Sequence, residues 1–213
     1  MIKRFSSLLC AILLCCFSFG TTSCSHEEES KKNGETYRLA VFETSDIHGY
    51  LADTSSEDYQ FRLAFIADKV NDARIAMKNS VLLADAGDIY QGNALSNLLD
   101  GIPLSAAYAA MNYDAVTAGN HEFDWGIEYT VDPDGTMMDY SLGVEERVNR
   151  IPVVLSNLYL HGERVSFTRD YVILKKTAVS ASGDTIPIKI GVIGFAEDYS
   201  TSIMHSRFTG VGY

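Results

Sequence analysis

Three short apolar runs, residues 37–44 (YRLAVFET), 80–84 (SVLLA) and 113–117 (YDAVT), each end in a dense cluster of polar side chains. Runs of that length with that ending read as buried strands that deliver loops at their C-terminal tips. The first tip carries Asp46, His48 and Gly49. The second carries Gly87, Asp88, Gln91 and Asn93, and the third carries Gly119, Asn120, His121, Glu122 and Asp124. Between the first two runs, residues 60–77 place Phe61, Ala64, Phe65, Ala67, Val70 and Ile75 near helical spacing, which predicts an amphipathic helix. Residues 103–111 predict a second helix, opened by Pro103 and preceded by Asp100 and Gly101. Strands apolar on both faces, alternating with helices, predict an α/β fold with a sheet covered by helices.

After Trp125 the pattern loosens. A turn is expected at residues 132–135, a helix over 137–150 that Gly143 weakens, and a strand at 151–155. Residues 164–177 alternate as a hairpin does, with a turn at Ser182, Gly183 and Asp184, and residues 186–195 read as a further strand.

Each polar tip alone has an ordinary reading. Asp-x-His often caps or sits on a surface, Gly-Asp suits many βα turns, and loops collect polar residues. Asp46 and His48 point the same way only if the chain stays extended there. Gly87 permits a sharp turn ahead of Asp88. Three such tips in succession favour a functional reading. Carboxylate, imidazole and amide oxygens gathered at neighbouring strand ends suit divalent metals of intermediate hardness such as Mn, Zn or Fe. One shared carboxylate could bridge two ions about 4 Å apart.

Charge agrees with a metal site. The chain has 17 basic and 28 acidic residues, a formal charge of -11. This balance argues against binding a nucleic-acid duplex through basic patches. A polyanionic substrate would need local positive charge, which bound divalent cations supply.

The N-terminus reads as a targeting segment. Lys3 and Arg4 precede an apolar stretch at residues 8–19, too short to span a membrane, and Thr21, Thr22 and Ser23 precede Cys24. Residues 1–23 resemble a bacterial lipoprotein signal, with Cys24 as the acylated first residue of the mature chain; the alternative is an ordinary secretory signal with an incidental Cys. Three of the four Cys lie in this leader, at positions 10, 15 and 16, and the fourth is Cys24 itself, so disulfides contribute nothing to the folded domain. Without Lys3 and Arg4, 15 basic residues face 28 acidic ones, a balance of -13. Residues 24–36 read as a flexible tether, and residues 37–213 as the folded domain. The expected location is outside the cytoplasm, lipid-anchored on the periplasmic or cell-surface side of a bacterial membrane.

Taken together, Ser45-Asp46-Ile47-His48-Gly49, Gly87-Asp88-Ile89-Tyr90-Gln91-Gly92-Asn93 and Gly119-Asn120-His121-Glu122-Phe123-Asp124-Trp125-Gly126 resemble the first three motifs of the calcineurin-like metallophosphoesterases. Within that family they are most similar to the bacterial 5′-nucleotidase and 2′,3′-cyclic-nucleotide phosphodiesterase branch. Residues 154–158 (VLSNL) and 189–195 (KIGVIGF) resemble that branch too, so the likeness runs over about residues 38–196. It implies a β-sandwich flanked by helices (αββα) and hydrolysis of nucleotide phosphoesters by a water activated between two divalent metals. By the same resemblance Asp46 and His48 would bind the first metal, Asp88 would bridge both, and Asn120 would bind the second. His121 would donate a hydrogen bond or proton to the phosphate or leaving oxygen, and Asp124 would orient His121. Gln91 and Asn93 are expected only to line the site, and Glu122 to be a structural carboxylate of the loop.

The family completes its site with two later His-bearing segments and adds a C-terminal domain that holds the nucleoside. This sequence carries neither, and His26, His161 and His205 lack motif context and read as surface residues. The expectation is therefore a truncated or split product whose C-terminal half is encoded separately, with the second metal the weaker held. A non-catalytic surface lipoprotein retaining a residual metal site is the alternative.

Overall fold

The computed structural model describes residues 34–52, 61–99, 101–124, 151–160, 162–164, 168–196 and 211–212. The expected leader, Cys24, most of the tether, the turn at 132–135, the helix over 137–150, and His26, His161 and His205 lie outside the described residues.

Three parallel strands carry the polar tips. They are β2 (Ala40–Thr44), β3 (Val81–Asp85) and β4 (Ala115–Val116), side by side in that order. The registers Thr44↔Asp85 and Asp85↔Val116 bring their C-terminal ends level, so all three loops leave along one edge. The first apolar run is divided: Tyr37–Arg38 forms a short β1, which pairs with β7 (Tyr171–Ser180) rather than with β3. β7 and β8 (Thr185–Ile193) form the long antiparallel hairpin expected from the alternating pattern, turning through residues 181–184. The expected strand at 151–155 contributes only bridges at Val153 and Val154, because adjacent residues there pair with different neighbours, Val116 and Arg169. A small sheet of β5 (Tyr159–Leu160), β6 (Glu163–Arg164) and β9 (Val211–Gly212) was not foreseen.

The parallel sheet is covered differently on its two faces. On one side Val81 and Leu83 pack with Leu63 and Val70 of α1 (Arg62–Ala76) and with Leu104, Tyr108 and Met111 of α3 (Ile102–Met111). On the other, Leu82 and Ala115 pack with Val172, Ile190 and Val192 of the hairpin. Helices thus cover one face and a second sheet the other, the sheet-on-sheet α/β architecture that the αββα resemblance implies.

α1 buries only part of the expected stripe, Ala67 and Val70. Leu63, Ile66, Ala67, Val70 and Ala73 face the core, whereas Phe61, Phe65 and Ile75 are exposed. Two apolar stripes run along this helix, and the one over β3 is buried. α2 (Ala94–Leu98), which the sequence did not suggest, is started by Asn93, whose Oδ1 accepts the Leu95 N–H at 2.9 Å. Among the described residues no helix is long and apolar enough to cross a membrane.

Candidate metal centre

The first two loops are zipped together through their backbones. The N–H groups of Asp46, His48 and Gly49 donate to the carbonyls of Gly87, Asp88 and Ile89 at 3.0, 2.9 and 2.8 Å. Asp46, His48 and Asp88 all adopt left-handed backbone conformations, with φ of 55°, 51° and 58°. That region disfavours residues with a Cβ by about 1–2 kcal/mol each, and such strain concentrates at functional sites. The stretch 46–48 is therefore not extended, so Asp46 and His48 are not brought to one side by strand alternation. Two left-handed turns, stabilised by the neighbouring loop, bring Asp46 Oδ1 within 3.8 Å of His48 Nε2 instead.

Gly87 and Gly119 let the second and third loops meet. A Cβ on Gly87, where φ is 102°, would stand 2.2 Å from the Gly119 nitrogen, and one on Gly119 would stand 2.3 Å from Asp88 Oδ1. The sharp turn expected at Gly87 is present. Beneath the contact lies Glu122, fully buried, whose Oε2 accepts the N–H groups of Asp88 and Gly119 at 2.8 and 2.6 Å while Oε1 accepts that of Ile89 at 2.6 Å. It ties the second loop to the third, a structural carboxylate as foreseen. Burial and the charge of Asp88 push it up to about 7, against the three N–H groups that favour its ionised form.

The third loop begins a short 3-10 turn, His121–Phe123, for which Asn120 is the N-terminal residue, its side chain making no capping bond. The His121 N–H donates to Asp88 Oδ1 at 2.8 Å, which fixes that carboxylate. His121 Nδ1 lies 2.6 Å from Asp124 Oδ2; a carboxylate only accepts, so Nδ1 carries the hydrogen. Burial lowers the His121 pKa, but the Asp124 hydrogen bond and then the charge of Asp88 outweigh it and hold it above the ordinary value. His48 is oriented in the same way. Its Nδ1 lies 2.7 Å from the Gln91 carbonyl and must be the donor, leaving Nε2 to act as a ligand.

The side chains of His48, Asp88 and His121 converge, each offering a ligand atom within 4.8 Å of the others. The two imidazole rings meet edge to face with centroids 4.9 Å apart. Asp46 stands beside this group with a more exposed side chain. Two imidazoles with carboxylates, preset by outer hydrogen bonds, form a donor set that fits a divalent cation of intermediate hardness. His121, expected to face phosphate, stands among the candidate ligands as well. Gln91 contributes its backbone carbonyl, a role that side-chain motifs do not reveal, and Asn93 is used in capping α2.

The sequence model of the calcineurin-like phosphoesterases matches residues 39–187. The chain belongs to that family. It is similar to a 2′,3′-cyclic-nucleotide 2′-phosphodiesterase/3′-nucleotidase of Haemophilus influenzae, 31% identical over 74% of this chain and 24% of that protein. A 5′-nucleotidase of Diplobatis ommata is 30% identical over 86% of this chain and 28% of the relative. Among solved structures, the calcineurin-like phosphoesterase YfkN from Bacillus subtilis aligns with a TM-score of 0.58 and 28% identity, covering 74% of this chain and 48% of that one. The phosphoesterase chain thus spans about a quarter of the length of these two curated relatives.

Proposed function

We propose that this calcineurin-like phosphoesterase chain carries the metal-holding part of a hydrolase that cleaves nucleotide phosphoesters, 5′-nucleotidase-like, in nucleotide breakdown. The convergence of His48, Asp88 and His121 at level strand tips carries the reading. In it Asp46 and His48 hold one divalent ion, Asp88 is shared between two, and Asn120 holds the second. His121, with Nδ1–H fixed on Asp124, presents Nε2 to a phosphoryl or leaving oxygen and donates to it, as its raised pKa favours. Asp124 keeps the ring in that tautomer, and Glu122 keeps the second and third loops in register. The divalent ions would supply positive charge for the developing phosphoryl charge and a water acidic enough to react near neutral pH.

The same proposal places the chain outside the cytoplasm, anchored to a bacterial membrane by a lipid on Cys24 and completed by a C-terminal portion, supplied separately if encoded apart. Labelled fatty acid should enter the chain expressed in bacteria and be lost in Cys24→Ser.

The decisive assay is Mn²⁺-stimulated phosphate release from 5′-AMP, and hydrolysis of 2′,3′-cyclic AMP, by the chain alone and with the C-terminal part of a relative added. Asp88→Asn and His121→Ala are each expected to lower the rate at least 100-fold, the scale of a lost charge-stabilising group. Activity that survives both substitutions would refute the site assignment. Mn²⁺ binding with no hydrolysis under either condition would favour a non-catalytic lipoprotein.

A further inference from the structure

Behind the three loops lies a second carboxylate that the assigned roles leave unused. Asp85, the last residue of β3, is almost fully buried. Its Oδ1 accepts the Gly87 N–H at 2.8 Å, the turn that presents Asp88. Its Oδ2 accepts the hydroxyls of Thr44 at 2.5 Å and Tyr108 at 2.7 Å. Thr44 ends β2, two residues before Asp46, and its hydroxyl also lies 2.8 Å from that of Tyr113, just ahead of β4. Tyr108 and Tyr113 stack at 4.0 Å. One carboxylate therefore joins the ends of β2 and β3 to α3 and the approach to β4.

We infer that Asp85 is a positioning residue whose buried negative charge favours cation binding between the loops while its hydrogen bonds hold the Gly87 turn. The inference rests on the metal-site reading above. Its three bonding partners are uncharged: two hydroxyls and one backbone N–H. Neutral donors reduce the cost of burying an anion without cancelling its field, which acts over several ångströms in a poorly screened interior. Divalent cations held by Asp46, His48 and Asp88 would bring positive charge to the loops that Asp85 ties together. Burial also pushes Asp85 up to about 6, with Thr44, Gly87 and Tyr108 opposing and Asp46 adding to the rise, as expected of an anion short of compensating charge.

The chemistry of the partners permits a clean test. Both groups on Oδ2 are hydroxyls, which accept as readily as they donate. In Asp85→Asn the amide NH₂ can donate to Thr44 and Tyr108, while Oδ1 keeps the Gly87 N–H. The substitution removes the charge and keeps a contact to each partner, with the Thr44 and Tyr108 hydroxyl hydrogens turned away from the position of Oδ2. Tyr108→Phe does the reverse, removing one bond and keeping the charge.

The experiment measures Mn²⁺ affinity by calorimetric titration at pH 7.5, and melting temperature with and without Mn²⁺. Subjects are the metal-stripped chain, Asp85→Asn, Tyr108→Phe and a His48→Ala control. Asp85→Asn should melt no lower than wild type without metal, yet bind Mn²⁺ about 10-fold to 100-fold more weakly, with a smaller Mn²⁺-induced melting shift. Tyr108→Phe should melt lower but bind Mn²⁺ within about threefold of wild type. If Asp85→Asn binds Mn²⁺ like wild type, melts well below it without metal, or loses no more affinity than Tyr108→Phe, the role in cation binding is overturned. In the first of these cases, a His48→Ala chain that fails to bind shows the metal site itself to stand. Wild type failing to bind Mn²⁺ would instead overturn the metal-site reading and this inference with it.

Discussion

Glu122 directs both carboxylate oxygens at backbone N–H groups of two different loops, so it has no acceptor capacity that a neutral analogue could reproduce. In Glu122→Gln one terminal atom becomes an NH₂ that must face an N–H, and either Ile89 or the Asp88 and Gly119 pair loses its acceptor. The cost of leaving a buried donor unsatisfied, compounded by two donors pointing at each other, is about 2–4 kcal/mol. Denaturant unfolding at pH 8 should show that loss, together with weaker Mn²⁺ binding, since Asp88 and Gly119 both move. A variant within about 0.5 kcal/mol of wild type would mean that Glu122 does not hold the loops together. At this scale the sequence was legible in part. Residues 46, 48, 88, 120, 121 and 124 could be picked out as types suited to a metal site at strand ends. Their left-handed backbones, the Gln91 carbonyl and the Asp85 network could not, because each depends on which loop lies against which.

At the scale of elements, the hairpin and the parallel strands were readable because strand period and turn residues are local signals, and Ser182, Gly183 and Asp184 lie where the chain reverses. The buried face of α1 was not. Phe61, Phe65 and Ile75 form one apolar stripe and Leu63, Ile66, Val70 and Ala73 another, and only the position of β3 beneath the helix selects between them. Phe65 instead lies under Lys69, whose Nζ is 5.3 Å from the ring centroid, an exposed contact of small value. Leu63→Ala should therefore cost about 2–5 kcal/mol, and Phe65→Ala about 1 kcal/mol or less, in urea unfolding. The reverse order would restore the outer stripe as the packed one. The hairpin is further joined to the parallel strands by Asp114, whose Oδ1 pairs with Lys176 of β7 at 2.5 Å and whose Oδ2 accepts the Leu83 N–H at 2.9 Å. No sequence pattern announces such a link, since its partners lie far apart in the chain.

For the molecule as a whole, the buried carboxylates give the metal-free chain a definite response to pH. Asp85 has an ordinary value of 3.8 and is pushed up to about 6 by burial, with its hydrogen bonds opposing. Folding thus favours its protonated form. Below about pH 4 the group is protonated in both states and contributes no difference. As pH rises from about 4 to 6 the unfolded chain releases the proton and the folded chain retains it, so stability falls, by up to about 3 kcal/mol for a shift of this size. Above that range the loss is constant. Glu122, pushed up to about 7 by burial and by Asp88, acts in the same direction. Calorimetry in the presence of chelator should then show the gap between Asp85→Asn and wild type widening in favour of the variant from pH 4 to 7, since only wild type ionises there. Parallel profiles would show that Asp85 ionises alike in the folded and unfolded chain, and would remove the premise that its buried charge is left short of compensation. Saturating Mn²⁺ should narrow the gap at pH 7, because cations between the loops stabilise the same ionised carboxylate that destabilises the chain without them.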